Sequence, residues 1–326
     1  MSAQKILGTE TEYGIIAPDD PEFDPIANSI LLVNNFLPPQ PNKILWDYEQ
    51  ESPLNDARGF VIDHEQTPPT QEENTALNKT LINGARYYVD HAHPEYSTPE
   101  CSNVFDLVRY EKAGEQVLEI SMMRANALLP PDKAIRIYKN NSDQKGNSYG
   151  YHENYLMRRD VPFDRISREL IPFLVTRQVF TGAGKVGSEN NAAVADYQIS
   201  QRADFLETDV GLDTMAKRPI INTRDEPHAD KNKYRRLHVI VGDSNMSEYT
   251  TMLKVGTTTI MLSMIQDGFL QKDFSIENPV KAIHRISHDC TCKKRVELAS
   301  GKRFTAVEIQ KNYLELAMKY CQQTEE

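Results

Sequence analysis

Three separated stretches of this chain alternate strictly, each setting polar, mostly charged groups against largely apolar ones. In KILGTETEYGII, Glu10 and Glu12 share one face while Leu7, Thr9, Thr11 and Tyr13 share the other. In RYYVD, Arg86, Tyr88 and Asp90 oppose Tyr87 and Val89. In RRLHVIVGDS, Arg236 and His238 oppose Leu237, Val239 and Val241. Strand side chains alternate with period two, so this pattern predicts an antiparallel sheet with one packed face and one open face.

Helical spacing fills the intervals. VFDLVRYEKAGEQVLEISMMRANALL predicts one helix over 104–129, with Gly114 as the point where it would bend. SRELIPFLVTRQVF predicts a second over 167–180, with Pro172 near its start. A third spans 249–268 and closes at Gly268, and a fourth opens on a capping box of Thr305 and Glu308. Strands and helices follow no βαβ rhythm, and GxxxxGK does not occur. The expected fold class is α+β: a curved, mainly antiparallel sheet with one open concave face and helices on the other.

Composition sets limits on function. At 326 residues and 39% hydrophobic content, the chain can bury one large core, and a single catalytic domain over 1–326 is expected. No run of 18 apolar residues exists, and MSAQKILGTETEYG has no apolar h-region, so neither a membrane span nor a signal peptide is expected. Cys101, Cys290, Cys292 and Cys321 form no CxxC pair and read as free thiols of a cytoplasmic protein. A net charge of −10 argues against nucleic acid as a partner. Half of that charge falls in residues 37–80, which hold eight acids, three bases and six prolines. Such a segment reads as a functional loop or a linker inserted between the first strands. Trp46, Tyr48 and Phe60 are unusual for a plain linker.

The open-face residues suggest chemistry. Glu10, Glu12 and Asp90, with Glu95 just past the Pro94 that is expected to end a strand, would crowd carboxylates on one surface. Such a group repels itself unless a cation lies between, and oxygen ligands suit Mg²⁺ shared with phosphates. A solvated sheet face laced with salt bridges is the alternative. Further along, YGYHENY carries His152, ISQRADF carries Arg202, and RPIINTRDEPHAD carries Arg218 and Arg224. Guanidinium groups make bidentate contacts with phosphate or carboxylate. Singly, His152 and His238 read equally as hydrogen-bonded structural residues. Together these features suggest a Mg-nucleotide enzyme acting on a carboxylate or amide.

GTETEYGI, NGARYYVDHAHPEYSTPE, KNNSDxxGNSYGxHENY, PFLVTRQ, GAGKV, RPIINTRDEPHAD and KYRRLHVIVGDSNMSEYTTMLKVG resemble the family of Pup ligases and Pup deamidases of the bacterial Pup–proteasome system, whose fold is related to glutamine synthetase. The motifs run in order through most of residues 5–285. Two features resemble the deamidase/depupylase branch: the spacing of Asp90-His91-Ala92-His93-Pro94-Glu95, and the 37–80 insertion, which looks like that branch's mobile loop. The resemblance implies an ATP- and Mg²⁺-dependent hydrolase. It would deamidate the C-terminal Gln of Pup and cleave the isopeptide bond between Pup and substrate lysines. The alternatives are the ligase, which forms that bond through a γ-glutamyl phosphate, and a catalytically impaired Pup-binding fragment.

The resemblance also implies roles. Glu10 and Glu12 would bind Mg²⁺, with Tyr88 and Glu95 completing one site and His152 and His238 contributing to the other. Arg86 and Thr98 would contact ATP, or ADP with phosphate, while Arg202 and Arg224 would hold a γ-phosphate or a substrate carboxyl. Asp90 would be the catalytic carboxylate, as nucleophile or as base; His91, on the opposite face by alternation, would be structural. Family members carry a small C-terminal domain with a tryptophan near the adenine. By this resemblance the chain is expected to lack that domain, as a truncated, split or naturally short form, and its single tryptophan is Trp46. Pup is acidic, so basic runs at Arg158–Arg159, Arg235–Arg236, Lys293–Arg295 and Lys302–Arg303 are candidates for its groove.

Overall fold

A computed structural model describes residues 5–36, 45–48, 51, 54–61, 69–213 and 217–325. Its centre is an eight-stranded sheet. In chain order the strands are β1 (Leu7–Glu12), β2 (Asn78–Thr80), β3 (Arg86–Asp90), β4 (His93–Ser97), β5 (Tyr151–Arg158), β6 (Thr208–Gly211), β7 (Pro219–Asn222) and β8 (Tyr234–Val239). Across the sheet the order is β6-β7-β8-β5-β1-β4-β3-β2, and every pair is antiparallel except β6 with β7. The α+β expectation holds.

Among the described residues, seven α-helices accompany it: α1 (Pro25–Asn35), α2 (Gln71–Leu77), α3 (Val104–Asn126), α4 (Phe163–Thr181), α5 (Glu248–Gln266), α6 (Pro279–Ser287) and α7 (Ala306–Glu325). Alternation decides what they cover. Leu7, Tyr87, Tyr96, Tyr155, Leu237 and Val239, all at most 4% exposed, face the helical layer. Three ionisable side chains, Arg177, Glu153 and Lys254, are buried on that side as well. Arg177 of α4 pairs with Glu153 of β5, and the Lys254 ammonium of α5 lies 3.3 Å from the Tyr151 ring centroid. Removing one partner of a buried pair strands the other charge, so these contacts tie α4 and α5 to one position on β5.

Three local expectations change. Helix α3 runs through Gly114 without interruption. A Cβ there would lie 2.4 Å from the Tyr96 ring, so the glycine permits close helix–sheet approach. Pro172 sits mid-helix because α4 begins at Phe163. The insertion also ends earlier than its composition suggests. Thr70 and Glu73 form a capping box that starts α2, and β2 then joins the sheet edge. Residues 37–44, 49, 50, 52, 53 and 62–68 of the insertion lie outside the described residues. Among the described residues, no helix is long and apolar enough to cross a membrane.

Candidate functional site

The open face of the sheet floors a cavity of about 1220 Å³. Cross-strand register brings distant segments together there. Glu12 lies opposite Glu95, Tyr88 also faces Glu95, and Glu10 lies opposite His152. His238 faces Asn154 one strand further on. Partners in register share a face, so these side chains converge because the sheet is antiparallel.

The first cluster is Glu12, Asp90 and Glu95, with carboxylate oxygens within 4.8 Å of one another. Glu95 is 1% exposed and its Oε1 accepts no hydrogen bond among the described residues. Burial, then the Asp90, Glu12 and Glu10 carboxylates, hold its pKa well above the usual range. Two ionised carboxylates this close repel by about 3 kcal/mol at an effective dielectric near 20. A hard divalent cation with oxygen ligands relieves that repulsion, and this donor set fits Mg²⁺. Tyr88, beside Glu95, belongs to the same wall.

Glu10, His152 and His238 form the second cluster, again within 4.8 Å. Glu10 is better compensated than Glu95. Arg236 donates to it at 2.7 Å, Asn154 at 2.8 Å, and His152 Nδ1 lies 3.1 Å away. Burial opposes its ionisation, but Arg236 and His152 outweigh it and hold the pKa well below the usual range. Burial and the Arg236 charge push His238 well down, so its imidazole is neutral. A Cβ on Gly150 would come within 2.1 Å of His152 Nε2, so only glycine admits this ring position.

Cations line the same cavity. Arg202 is 2% exposed, and its Nη1 donates to Tyr149 O at 3.2 Å. Its Nε has no acceptor among the described residues, and burial, aided by Arg218, pushes its pKa down to about 10. Arg224 lies 3.8 Å from Glu226 across the same cavity. Thr98 lines the cavity with its Oγ1 accepting the Thr9 N–H at 3.0 Å. Arg86 is held more tightly. Its guanidinium lies 3.9 Å from the Trp46 ring centroid and 4.0 Å from that of Tyr88, donates to Asn78 at 2.8 and 2.6 Å, and meets Glu51 at 3.2 Å. Trp46 and Glu51, both from the insertion, therefore stand beside a residue expected to contact nucleotide.

Two sequence expectations near Asp90 are corrected. Pro94 does not end a strand: the chain reverses at His91–Ala92, and Pro94 lies inside β4 opposite Val89. His91 is not on the far face. It sits in the reversal with φ +52°, and its Nδ1 is 2.9 Å from Asp90 Oδ2. Alternation fails where a strand stops, and no residue pattern in DHAH marks that point. Sequence reasoning also missed the contact of Arg236 with Glu10, having read Arg236 as a face-mate of His238 and part of a basic run, and the tilted ring contact of His93 with Tyr149 at 4.7 Å. Most basic runs are neutralised locally: Arg158, Arg159, Arg236, Arg295 and Arg303 all pair with carboxylates.

A family profile described as Pup-ligase protein matches residues 5–326. The chain belongs to that family. A depupylase of Acidothermus cellulolyticus is 54% identical over 324 residues, covering 98% of this chain and 64% of its own length. A Pup deamidase/depupylase of Mycolicibacterium smegmatis is 49% identical, covering 97% of this chain and 65% of its own length. The chain thus spans under two thirds of the length of these family members. Among solved structures, the complex of prokaryotic ubiquitin-like protein Pup with its ligase PafA matches at TM-score 0.77 and 35% identity, covering 98% of this chain and 58% of that one. PafA in complex with ADP matches at 0.69 and 38%, covering 81% and 61%.

Proposed function

We propose that this chain forms the catalytic part of a Pup deamidase/depupylase that works with Mg²⁺ and a nucleotide. One observation carries the reading: a single cavity holds both the Glu12–Asp90–Glu95 carboxylate cluster and the buried Arg202 guanidinium, whose Nε has no acceptor among the described residues. A metal–polyphosphate ligand answers both demands at once, since Mg²⁺ is normally bound by carboxylates together with substrate phosphates. Glu12, Glu95 and Tyr88 would hold one ion, and Glu10 with His152 and His238 would contribute to a second. Arg202 and Arg224 would take the γ-phosphate or a substrate carboxyl, with Arg86 and Thr98 nearer the nucleoside. Bound there, Mg²⁺ would supply positive charge to an amide oxygen that turns negative during attack.

Asp90 is the group this reading assigns to the scissile amide. Burial opposes its ionisation, but the His91 hydrogen bond and charge outweigh this and keep its pKa below the usual value. An ionised Asp90 can accept a proton from attacking water while the C–N bond breaks and the nitrogen leaves protonated. It can equally attack the carbonyl itself, forming an anhydride that water then opens. Both routes yield a glutamate carboxylate and free ammonia or a lysine amine. The ligase reading rests on the PafA likeness, since the same cavity could activate a carboxylate with ATP. The relatives named as depupylases, at 54% and 49% identity against 35% and 38% for the ligase structures, favour hydrolysis.

Pup carrying a fluorophore on its terminal glutamate side chain tests this, with the chain alone and with the C-terminal part of a full-length relative. Release that requires Mg-nucleotide and vanishes in Asp90→Asn is expected. Isopeptide formation with ATP consumption would assign the ligase instead. Pup retained without either reaction would leave a binding module.

A further inference from the structure

The reversal between β3 and β4 contains two residues, His91 and Ala92. Two-residue hairpins usually put glycine, asparagine or aspartate where φ must be positive. A histidine at φ +52° adopts a conformation that costs L-residues roughly 1–2 kcal/mol. The fold holds it there: the buried Ser29 hydroxyl of α1 donates to Ala92 O at 2.9 Å, pinning the turn to a helix. Strain retained beside a functional group is informative, because an unconstrained turn would relax.

What the turn achieves is a contact along the chain. The His91 ring swings back so that Nδ1 lies 2.9 Å from Oδ2 of Asp90. No other hydrogen bond reaches the Asp90 side chain among the described residues. With one end of a carboxylate free, rotation about its χ angles would carry its oxygens away from Glu12 and Glu95. Anchoring one oxygen fixes the plane of the other.

We propose that His91 is the positioning residue of Asp90, and that Ser29 acts behind it by holding the turn. This rests on reading Asp90 as the carboxylate that meets the scissile amide. Groups that orient a reacting side chain through one hydrogen bond are commonly worth about 10–100-fold in activity. His91 is 54% exposed at the cavity mouth, so its removal opens no core void.

Three variants separate the backbone from the ring. His91→Gly keeps the left-handed turn and removes the donor. His91→Asn keeps both, since asparagine tolerates this φ and its Nδ2 can donate. Ser29→Ala keeps the ring and loosens the turn. In the Pup-release assay, His91→Gly should lower kcat about 10–100-fold with KM nearly unchanged, and His91→Asn should restore it to within a few-fold. Ser29→Ala should fall between wild type and His91→Gly. A His91→Gly protein with wild-type kcat overturns the proposal. Long-range ¹H–¹⁵N spectra of histidine-labelled protein supply a readout free of turnover. A proton on His91 Nδ1 whose signal moves in Asp90→Ala is expected; an unprotonated or insensitive Nδ1 overturns the contact. A wild-type chain that shows the contact but cleaves no Pup, even with the C-terminal part added, would overturn the function proposed above instead.

Discussion

Glu95 and Arg202 are each nearly fully buried in one cavity with a polar atom that no described residue satisfies. A stable fold tolerates such groups mainly where a ligand completes them. For Glu95 the consequence is measurable. Replacing it with glutamine removes one carboxylate from the Glu12–Asp90–Glu95 cluster, so the melting temperature without divalent cation should rise. The same variant should lose most of the stabilisation that Mg²⁺ gives the wild type, because a ligand bound only to the folded state stabilises by mass action. Thermal unfolding with and without millimolar Mg²⁺ reads both effects. A Glu95→Gln protein still stabilised by Mg²⁺ to the wild-type degree would remove Glu95 from the site. Glu10 answers differently to the same chemistry: Arg236, Asn154 and His152 already compensate it. The face of Glu10 was legible from alternation, and Glu95 was legible only as a carboxylate just past the strand expected to end at Pro94. Which of them lacked a partner was not, because compensation came from β5 and β8, far along the chain.

At the level of elements, small residues and buried charges set how closely helix and sheet approach. Gly114 of α3 meets the Tyr96 ring on β4. An alanine there would gain about 1 kcal/mol of helix propensity. It would lose roughly 1–3 kcal/mol to overpacking against an aromatic ring. Gly114→Ala should therefore lower the urea midpoint, and an increase would mean the ring can shift freely. Lys254 links α5 to β5 and is 0% exposed. Burial pushes its ammonium down to about 7, with Glu153 and Glu111 pulling the other way. Its unfolded value is near 10.5, so the unfolded chain takes up this proton first as pH falls. The stability contribution is full above pH 10.5, declines as pH drops, and is lost by about pH 7. Urea midpoints should thus rise from pH 7 to pH 9 in the wild type more than in Lys254→Met; parallel curves would show that Lys254 keeps its charge. Helices α3, α4, α5 and α7 were readable from periodicity, α1 and α6 were not read, and α2 was hidden in an acidic, proline-rich stretch. Its capping box, Thr70 with Glu73, was the available signal.

For the whole molecule, the insertion and the sheet compete for one residue. Arg86 is stacked between Trp46 and Tyr88 and paired with Glu51, so a nucleotide that needs its guanidinium must displace Trp46. Trp46 is the chain's only tryptophan, so its emission reports this directly. Adding Mg-ATP should change Trp46 fluorescence saturably, and Trp46→Ala should bind nucleotide several-fold more tightly. Emission indifferent to nucleotide, with binding shown by another method, would mean Arg86 stays with the insertion. Period-two alternation, helical periodicity and ordered motifs were written along the chain, and they sufficed for the fold class, the family and the faces of β1, β3 and β8. Those are local properties, set by neighbours one to four residues apart. Strand order, the opposition of Glu12 to Glu95, the burial of Arg202 and the reversal at His91 were decided by tertiary structure. Each depends on pairings between segments far apart in sequence, whose energies arise only once the strands have assembled into the sheet.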